Sequence, residues 1–153
     1  MNRFEMFTIL ISKINKNIKK IKNLEMAEYN LRSMHVSCLF YLYINETLTA
    51  SDLCEKCAED KATISRTLDY LEENDYVMCN SNLVKRYNSP FILTEKGNTI
   101  AKKVFDKINE VLKELNGCLT EEERIQFYNH LNKICYSLEE ITDKIENNGG
   151  TKW

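Results

Sequence analysis

The residues best suited to binding chemistry lie on a helix that the sequence predicts over residues 61–74. Its apolar side chains recur at the i, i+4, i+7 spacing of a buried stripe: Ile64, Leu68 and Leu71. Arg66 points away from that stripe, and Thr63 and Ser65 lie on its flanks. A helix with one such polar side fits the major groove of duplex DNA, where each base pair presents a distinct pattern of donors and acceptors.

Arg66 is the residue that we expect to read bases, because a paired contact from arginine to guanine contributes about 1–3 kcal/mol of discrimination. Neighbouring hydroxyls suit a phosphate or a base edge, and Lys61 lies near helix N–H groups that favour phosphate. The alternative is a surface arginine paired with Asp69 or Glu73, since such ion pairs are common and weak. The predicted DNA-contact residues of the two adjacent helices are Thr49, Ser51, Lys61, Ala62, Thr63, Ser65, Arg66 and Tyr70.

A second candidate contact is the basic pair Lys85-Arg86, in a polar segment between two short apolar runs at residues 76–79 and 91–93. Turn-prone residues at both ends of the segment indicate a β-hairpin. A basic hairpin tip can follow the DNA backbone or enter the minor groove. The alternative is a solvated loop without a partner.

The six cysteines raise the question of redox or metal chemistry. Cys79 faces Lys85 and Arg86 across the predicted hairpin, and nearby cations favour a reactive thiolate, so Cys79 is the candidate redox sensor. Cys54 and Cys57 have a zinc-like spacing, but one pair supplies only two of the four usual ligands. Small buried side chains are therefore the preferred interpretation of that pair, and no metal site is predicted.

The elements that hold these residues are mostly helices, because the chain has only four glycines and one proline. We expect a second helix over residues 32–45, a third that begins at the capping box of Thr49 and Asp52, and a fourth capped by Asp60. Thr94 and Thr120 begin two long helices after the hairpin. A heptad spacing marks the first helix: Phe4, Phe7, Ile11, Ile14, Ile18 and Ile21.

These elements predict a mainly α fold with a small β-hairpin, a winged helix-turn-helix flanked by long N- and C-terminal dimerisation helices. The 153 residues suit one domain, 1–153. Residues 31–97 form the predicted DNA-binding module, and residues 1–30 and 98–147 the dimerisation helices. The long helices carry more apolar surface than one small module covers, so a homodimer is the natural way to bury it.

Composition excludes some classes of protein and leaves others open. Hydrophobic residues make up 43% and charged residues 29%, which is typical of a folded soluble chain. The net charge of −2 shows no overall basic bias, so the DNA argument depends on local charge. No secretory signal or apolar run of about 20 residues is apparent, so we expect a cytoplasmic protein with reduced cysteines and no membrane contact.

The sequence resembles the MarR family of bacterial transcriptional regulators, and the order of elements fits over nearly the whole chain. The matching segments are residues 53–72, Tyr76-Val77 and Phe91-Ile92-Leu93-Thr94-Glu95-Lys96-Gly97. The resemblance implies a homodimer on a pseudo-palindromic operator, and many members are released from DNA by a small ligand, an oxidant or a metal. Asp75 stands where glycine is usual, and Lys85-Arg86 stands nearest to the missing Asp-x-Arg of the wing.

The resemblance also implies a pocket for a small-molecule effector between the dimer frame and the DNA-binding module. Residues on the second helix suit such a pocket, although ordinary core is the preferred interpretation for most of them: Met34, His35, Cys38, Tyr41 and Leu42. No catalytic constellation and no cofactor site is indicated. We therefore predict a transcriptional repressor and not an enzyme.

Three alternatives stay open at the level of the sequence. The first is a redox- or ligand-responsive sensor, in which a cysteine or the predicted pocket controls release from DNA. The second is a winged helix that binds another protein, which would lack salt-dependent affinity for duplex DNA. The third is a small helical enzyme that uses Cys79 or His35 in a deep polar pocket.

Overall fold

The structure is a computed structural model that describes residues 3–79 and 88–147 of the chain. The described part is mainly helical, as the sequence predicts. Its elements are α1 (Arg3–Glu25), a short 3-10 helix (Ala27–Tyr29), α2 (Ser33–Asn45), β1 (Thr47–Thr49), α3 (Ala50–Cys57), α4 (Lys61–Glu73), β2 (Val77–Cys79), β3 (Pro90–Leu93), α5 (Glu95–Asn116) and α6 (Glu121–Asn147).

The sheet has three antiparallel strands in the order β1-β3-β2, and not only the two strands of the predicted hairpin. The additional strand is β1, which pairs Thr47 with Ile92 of the central strand. On its other side β3 pairs Leu93 with Val77 of β2. The helix-turn-helix of α3 and α4 is therefore bordered in sequence by β1 before it and β2 after it.

The chain divides into two compact units, residues 1–108 and 109–153. The first unit holds the hydrophobic core, to which α2, α3, α4, β3 and the start of α5 all contribute fully buried side chains. The largest of these include Leu39, Leu42, Leu53, Ile64, Leu68, Leu71, Phe91 and Val104. The predicted stripe of α4 is thus confirmed as its core-facing side.

The predicted helix starts are confirmed by their hydrogen bonds. The Thr49 hydroxyl accepts from the Asp52 amide at 3.1 Å, and the Asp60 carboxylate accepts from the Thr63 amide at 2.8 Å. In the second unit the Thr120 hydroxyl accepts from the Glu123 amide at 3.3 Å. Each side chain satisfies an N–H group that has no partner within its helix, and such a cap stabilises a helix by about 1 kcal/mol.

The long helices carry large apolar side chains that stay exposed. On α1 these are Met6, Ile9, Leu10, Ile11, Ile14, Ile18, Ile21 and Leu24, and on α6 they include Ile125, Phe127, Tyr128, Ile134, Leu138, Ile141 and Ile145. Every residue of α6 is at least partly exposed within the described structure. Among the described residues, no helix combines the length and the apolar character that crossing a membrane requires.

Candidate nucleic-acid interface

The helix-turn-helix is built on a tight turn between α3 and α4. Ala58 ends α3 in the left-handed region, with φ of 51°, and its amide donates to Glu55 O at 3.1 Å. The Glu59 amide donates to Cys54 O at 3.0 Å, so both bonds satisfy carbonyls at the end of the helix. Asp60 then caps α4 in an extended conformation, which separates the two helices.

The first turns of α4 present a polar surface, while Ile64, Thr67, Leu68 and Leu71 are buried. The exposed side chains include four of the residues predicted to contact DNA: Lys61, Ala62, Ser65 and Arg66. Arg66 is exposed, as the sequence predicts, so its side chain lies on the solvent side of α4. The major groove of duplex DNA admits a single α-helix that presents such a surface.

Arg66 is oriented by a chain of hydrogen bonds that starts at the helix cap. Its Nη2 donates to the Thr63 hydroxyl at 3.4 Å, and that hydroxyl donates to Asp60 Oδ2 at 3.0 Å. Bonds from the Thr63 amide and hydroxyl hold the pKa of the Asp60 carboxyl below its ordinary value, with a smaller contribution from the positive charge of Arg66. The Thr63 hydroxyl is therefore engaged within the protein, and Arg66 retains most of its donors for an outside partner.

Thr49 and Ser51 begin α3 and differ in their surroundings. The Thr49 hydroxyl and amide both donate to Asp52 Oδ2, at 2.7 Å and 2.8 Å. These two bonds lower the pKa of the Asp52 carboxyl, so the carboxylate stays charged and the capping box stays intact at neutral pH. Ser51 is exposed, and of the two it is better placed to meet a phosphate.

The side chain of Tyr70 is oriented differently from what helical periodicity predicts. Its ring stacks on His35 of α2 with centroids 4.1 Å apart and planes 2° from parallel. Its hydroxyl donates to the backbone oxygen of Asn30 at 2.9 Å. Tyr70 thus joins α4 to the segment before α2. No local pattern in the sequence predicts this pairing, since the partners of Tyr70 lie far away along the chain.

The predicted wing contacts Lys85 and Arg86 lie outside the described residues. The motif that follows β3 is described, and it fastens α5 to the end of α4. The Thr94 hydroxyl accepts from the Gly97 amide at 2.9 Å and donates to Asp75 O at 2.6 Å. Lys96 Nζ donates to Asn74 O at 2.7 Å. A Cβ at Gly97 would lie 1.8 Å from Tyr76 O, which explains why glycine occupies that position.

The residues predicted to line an effector pocket occupy different environments on α2. Cys38 and Leu42 are fully buried in the core, whereas Met34, His35 and Tyr41 are partly buried. His35 Nδ1 accepts from the Arg32 amide at 3.1 Å. Burial, and then the charge of Arg32, lower the pKa of His35, so the ring is neutral when it stacks on Tyr70. The role of these residues in binding a small molecule stays a prediction.

Cys79, the predicted redox cysteine, is partly buried at the end of β2. Its amide donates to Glu72 Oε1 at 3.2 Å, which ties the strand to α4. The other cysteines of the first unit lie on α2 and α3, and Cys118 and Cys135 are exposed in the second unit. Among the described residues, no group of three or more histidines, cysteines and carboxylates is arranged to hold a metal ion.

Comparison with known proteins identifies a matching family model and similar solved structures. Residues 29–78 match the model of the MarR family. No curated protein sequence matches the chain. Solved structures do match it, among them NMB1585, a MarR family regulator from Neisseria meningitidis, with a TM-score of 0.82 and 17% identity over 94% of this chain and 99% of that one.

Two further structures come from Staphylococcus aureus. MepR in complex with DNA matches with a TM-score of 0.77 and 22% identity, over 86% of this chain and 97% of its own. MarR in complex with salicylate and kanamycin matches with a TM-score of 0.75 and 20% identity, over 89% of this chain and 91% of its own. Together with the matched segment, these structures confirm the resemblance to the MarR family and the winged-helix fold.

Proposed function

We propose, from the MarR-type fold and the surface of α4, that this chain is a sequence-specific regulator of transcription that binds duplex DNA as a homodimer and represses. The observation that supports the proposal most directly is Arg66: it is exposed on the recognition helix, and Thr63 orients it from one side. An oriented arginine at a helix surface is the commonest specific reader of guanine in the major groove.

The proposed contact set is narrower than the one predicted from the sequence. Arg66 reads a base edge, Ser65 and Ala62 meet neighbouring base edges, and Lys61 and Ser51 meet phosphates. Thr49 and Thr63 act through their caps, which fix the helix ends. Tyr70 is left out, because His35 covers one ring face and Asn30 holds the hydroxyl. Lys85 and Arg86 remain proposed wing contacts, since a basic hairpin tip complements the phosphate backbone.

Replacement of Arg66 tests this proposal. The operator is first selected from a random duplex library with the wild-type protein. Arg66→Ala should weaken binding to that operator by about 10- to 100-fold, the loss expected for one bidentate base contact. Binding to unrelated duplexes should weaken much less. Lys144→Ala on α6 removes the same charge from an exposed position and is the matched control.

Two results would contradict the proposal. One is an operator affinity that Arg66→Ala leaves unchanged while size exclusion shows a folded protein. The other is an affinity for duplex DNA that does not fall with rising salt, because phosphate contacts release counterions and make binding salt-dependent. Either result would favour the winged helix as a protein-interaction module. Repression is tested by a reporter behind the selected operator, whose transcription should fall with the wild-type chain and recover with Arg66→Ala.

The proposal also includes a signal that releases the protein from DNA. The complex of Staphylococcus aureus MarR with salicylate and kanamycin shows that a protein of this fold binds small molecules. By analogy, the partly buried residues of α2, Met34, His35 and Tyr41, are the proposed lining of an effector site. Thermal-shift measurements with aromatic acids, repeated on Tyr41→Ala, would test this site. Stabilisation that Tyr41→Ala does not reduce would remove α2 from it.

A further inference from the structure

The side chain of Tyr70 on α4 is held from two directions by residues that precede or begin α2. Its ring stacks on the His35 ring, with centroids 4.1 Å apart and planes 2° from parallel. Its hydroxyl donates to Asn30 O at 2.9 Å. One side chain therefore combines a ring contact and a hydrogen bond, and both join α4 to a distant part of the chain.

The backbone that accepts the bond from Tyr70 is itself fixed in place. Asn30 ends the 3-10 helix in the left-handed region, with φ of 57°, and its amide donates to Ala27 O at 2.9 Å. The Leu31 amide donates to Met26 O at 3.3 Å, and both of these side chains are buried in the core. The Asn30 carbonyl thus belongs to a short turn that is anchored in the core, and it provides a fixed point for α4.

The same turn is also tied to α5. Lys103 Nζ donates to the Tyr29 hydroxyl at 2.7 Å, and Lys107 Nζ lies 3.5 Å from Glu25 Oε2. Exposed contacts of this kind contribute little stability one by one. Together they hold the turn against a second helix, so a displacement of α4 at Tyr70 meets resistance from α5 as well as from α2.

The position of Tyr70 on α4 connects this anchor to the proposed reading residue. Tyr70 follows Arg66 by four residues, and this spacing places two Cβ atoms one turn apart on the same side of a helix. A contact that fixes Tyr70 therefore restricts the rotation of α4 about its axis, and with it the direction in which Arg66 leaves the helix. The end of α4 is held separately, because Lys96 Nζ donates to Asn74 O at 2.7 Å.

We propose that Tyr70 is a positioning residue for DNA recognition, which uses the His35 ring and the Asn30 carbonyl to hold α4 in the orientation that binds the major groove. This inference rests on the proposed DNA-binding function. A helix that is held in the binding orientation keeps its full affinity, whereas a helix that populates this orientation only part of the time loses affinity in proportion. Tyr70 acts through the protein, because one ring face and the hydroxyl are engaged there.

The first test removes the contacts of Tyr70 step by step. Tyr70→Phe keeps the stack on His35 and loses only the bond to Asn30 O. It should weaken binding to the selected operator by about 3- to 10-fold, the effect of one hydrogen bond. Binding to an unrelated duplex depends mainly on phosphates and should change by less than about twofold. Tyr70→Ala should weaken operator binding further. Tyr136→Phe, at a side chain of α6 that is 63% exposed, is the matched control and should behave like the wild type.

The second test replaces His35, which lies on a helix that carries none of the proposed DNA contacts. His35→Ala removes the stack and should lower operator affinity, whereas His35→Phe keeps a ring beside Tyr70 and should restore most of it. In the double variant, His35→Ala should add little to Tyr70→Ala, because both changes remove the same contact. Losses that multiply would show that Tyr70 touches DNA directly, and they would overturn the positioning role.

Each other outcome decides a separate point. An operator affinity that Tyr70→Phe leaves unchanged or raises would overturn the positioning role, even if Tyr70→Ala does not fold. Equal losses on the operator and on the unrelated duplex would also overturn it. If the wild type binds no duplex DNA, the proposed function fails, and hydrogen exchange then tests the anchor alone. Amides of α4 should exchange faster in Tyr70→Phe than in the wild type, and those of α6 should not. Equal exchange in α4 would overturn the anchor too.

Discussion

The side chains of His35 and Tyr70 join α2 to α4, the proposed recognition helix. Their rings lie parallel across the gap between α2 and α4, and each residue also holds a backbone group near residues 30–32. The arrangement needs a neutral imidazole, because a protonated Nδ1 cannot accept the Arg32 amide. The contact between α2 and α4 is thus linked to the protonation state of His35, whose pKa is lowered by burial.

The stability of the protein should therefore fall in mild acid. Burial lowers the pKa of His35 in the folded protein, so the unfolded chain binds the proton more readily below about pH 6.5. The free energy of unfolding should decrease as the pH falls from about 6.5, and level off below the folded-state pKa. Denaturant titrations between about pH 7 and pH 5 measure this decrease.

Two variants distinguish the contribution of His35 to this pH dependence from that of the other ionisable groups. His35→Gln should flatten the slope of stability against pH, because it removes the titrating ring. His130→Gln, at an exposed position on α6, should leave the slope as it is in the wild type. Equal slopes for the wild type and His35→Gln would show that another group is responsible.

At individual residues, the sequence predicts local contacts better than distant ones. The caps at Thr49 and Asp60 were predictable because donor and acceptor lie three residues apart. The stack of Tyr70 on His35 was not, since it depends on how two helices pack.

Among the elements, the two turns that frame α4 share an uncommon backbone conformation. Ala58 before the helix has φ of 51°, and Asp75 after it has φ of 59°. Side chains other than glycine reach this region at a cost of about 1–3 kcal/mol, although aspartate and asparagine tolerate it better than most. The resemblance to the MarR family, in which glycine is usual at the position of Asp75, is consistent with this geometry.

Glycine at these turns should stabilise the protein. Ala58→Gly should raise the free energy of unfolding by about 0.5–1 kcal/mol, because the relief of strain exceeds the entropy that glycine loses on folding. Asp75→Gly should have a smaller effect, since aspartate already suits the left-handed region. Urea titrations of the three proteins measure both differences. A less stable Ala58→Gly would mean that the turn carries little strain.

The strands show where element prediction from sequence reaches its limit. The runs that form β2 and β3 were predictable from their apolar residues and the turn-prone segment between them. Strand β1 was missed because Thr47–Thr49 is only three residues long and also leads into the cap of α3. Its partner β3 lies far along the chain, so only the folded arrangement shows the pairing.

For the whole molecule, the exposed apolar side chains of the long helices are the main unexplained surface. Ile14 of α1 is 49% exposed and Ile141 of α6 is 51% exposed, and each lies in a row of similar residues. A soluble monomer rarely leaves contiguous apolar surface of this extent in water. A second copy of the chain is the proposed partner for these helices.

Charge placed in either row should dissociate the homodimer. Ile14→Glu and Ile141→Glu should each shift the protein from dimer to monomer in analytical ultracentrifugation, because an isolated carboxylate is costly to bury. Asn17→Glu introduces the same charge at an exposed position outside the apolar row of α1 and should leave the dimer intact. A wild-type protein that sediments as a monomer would contradict the proposed assembly.

The close approach of Gly97 to the Tyr76 carbonyl has a mechanical consequence. Here the start of α5 rests directly on backbone, and the side chains of Thr94 and Lys96 donate to Asp75 O and Asn74 O, directly after α4. A contact between backbone atoms cannot readjust by a change of rotamer, so a tilt of α5 is transmitted to the end of α4. Under the proposed function, a displacement of α5 would therefore change how α4 sits in the DNA groove.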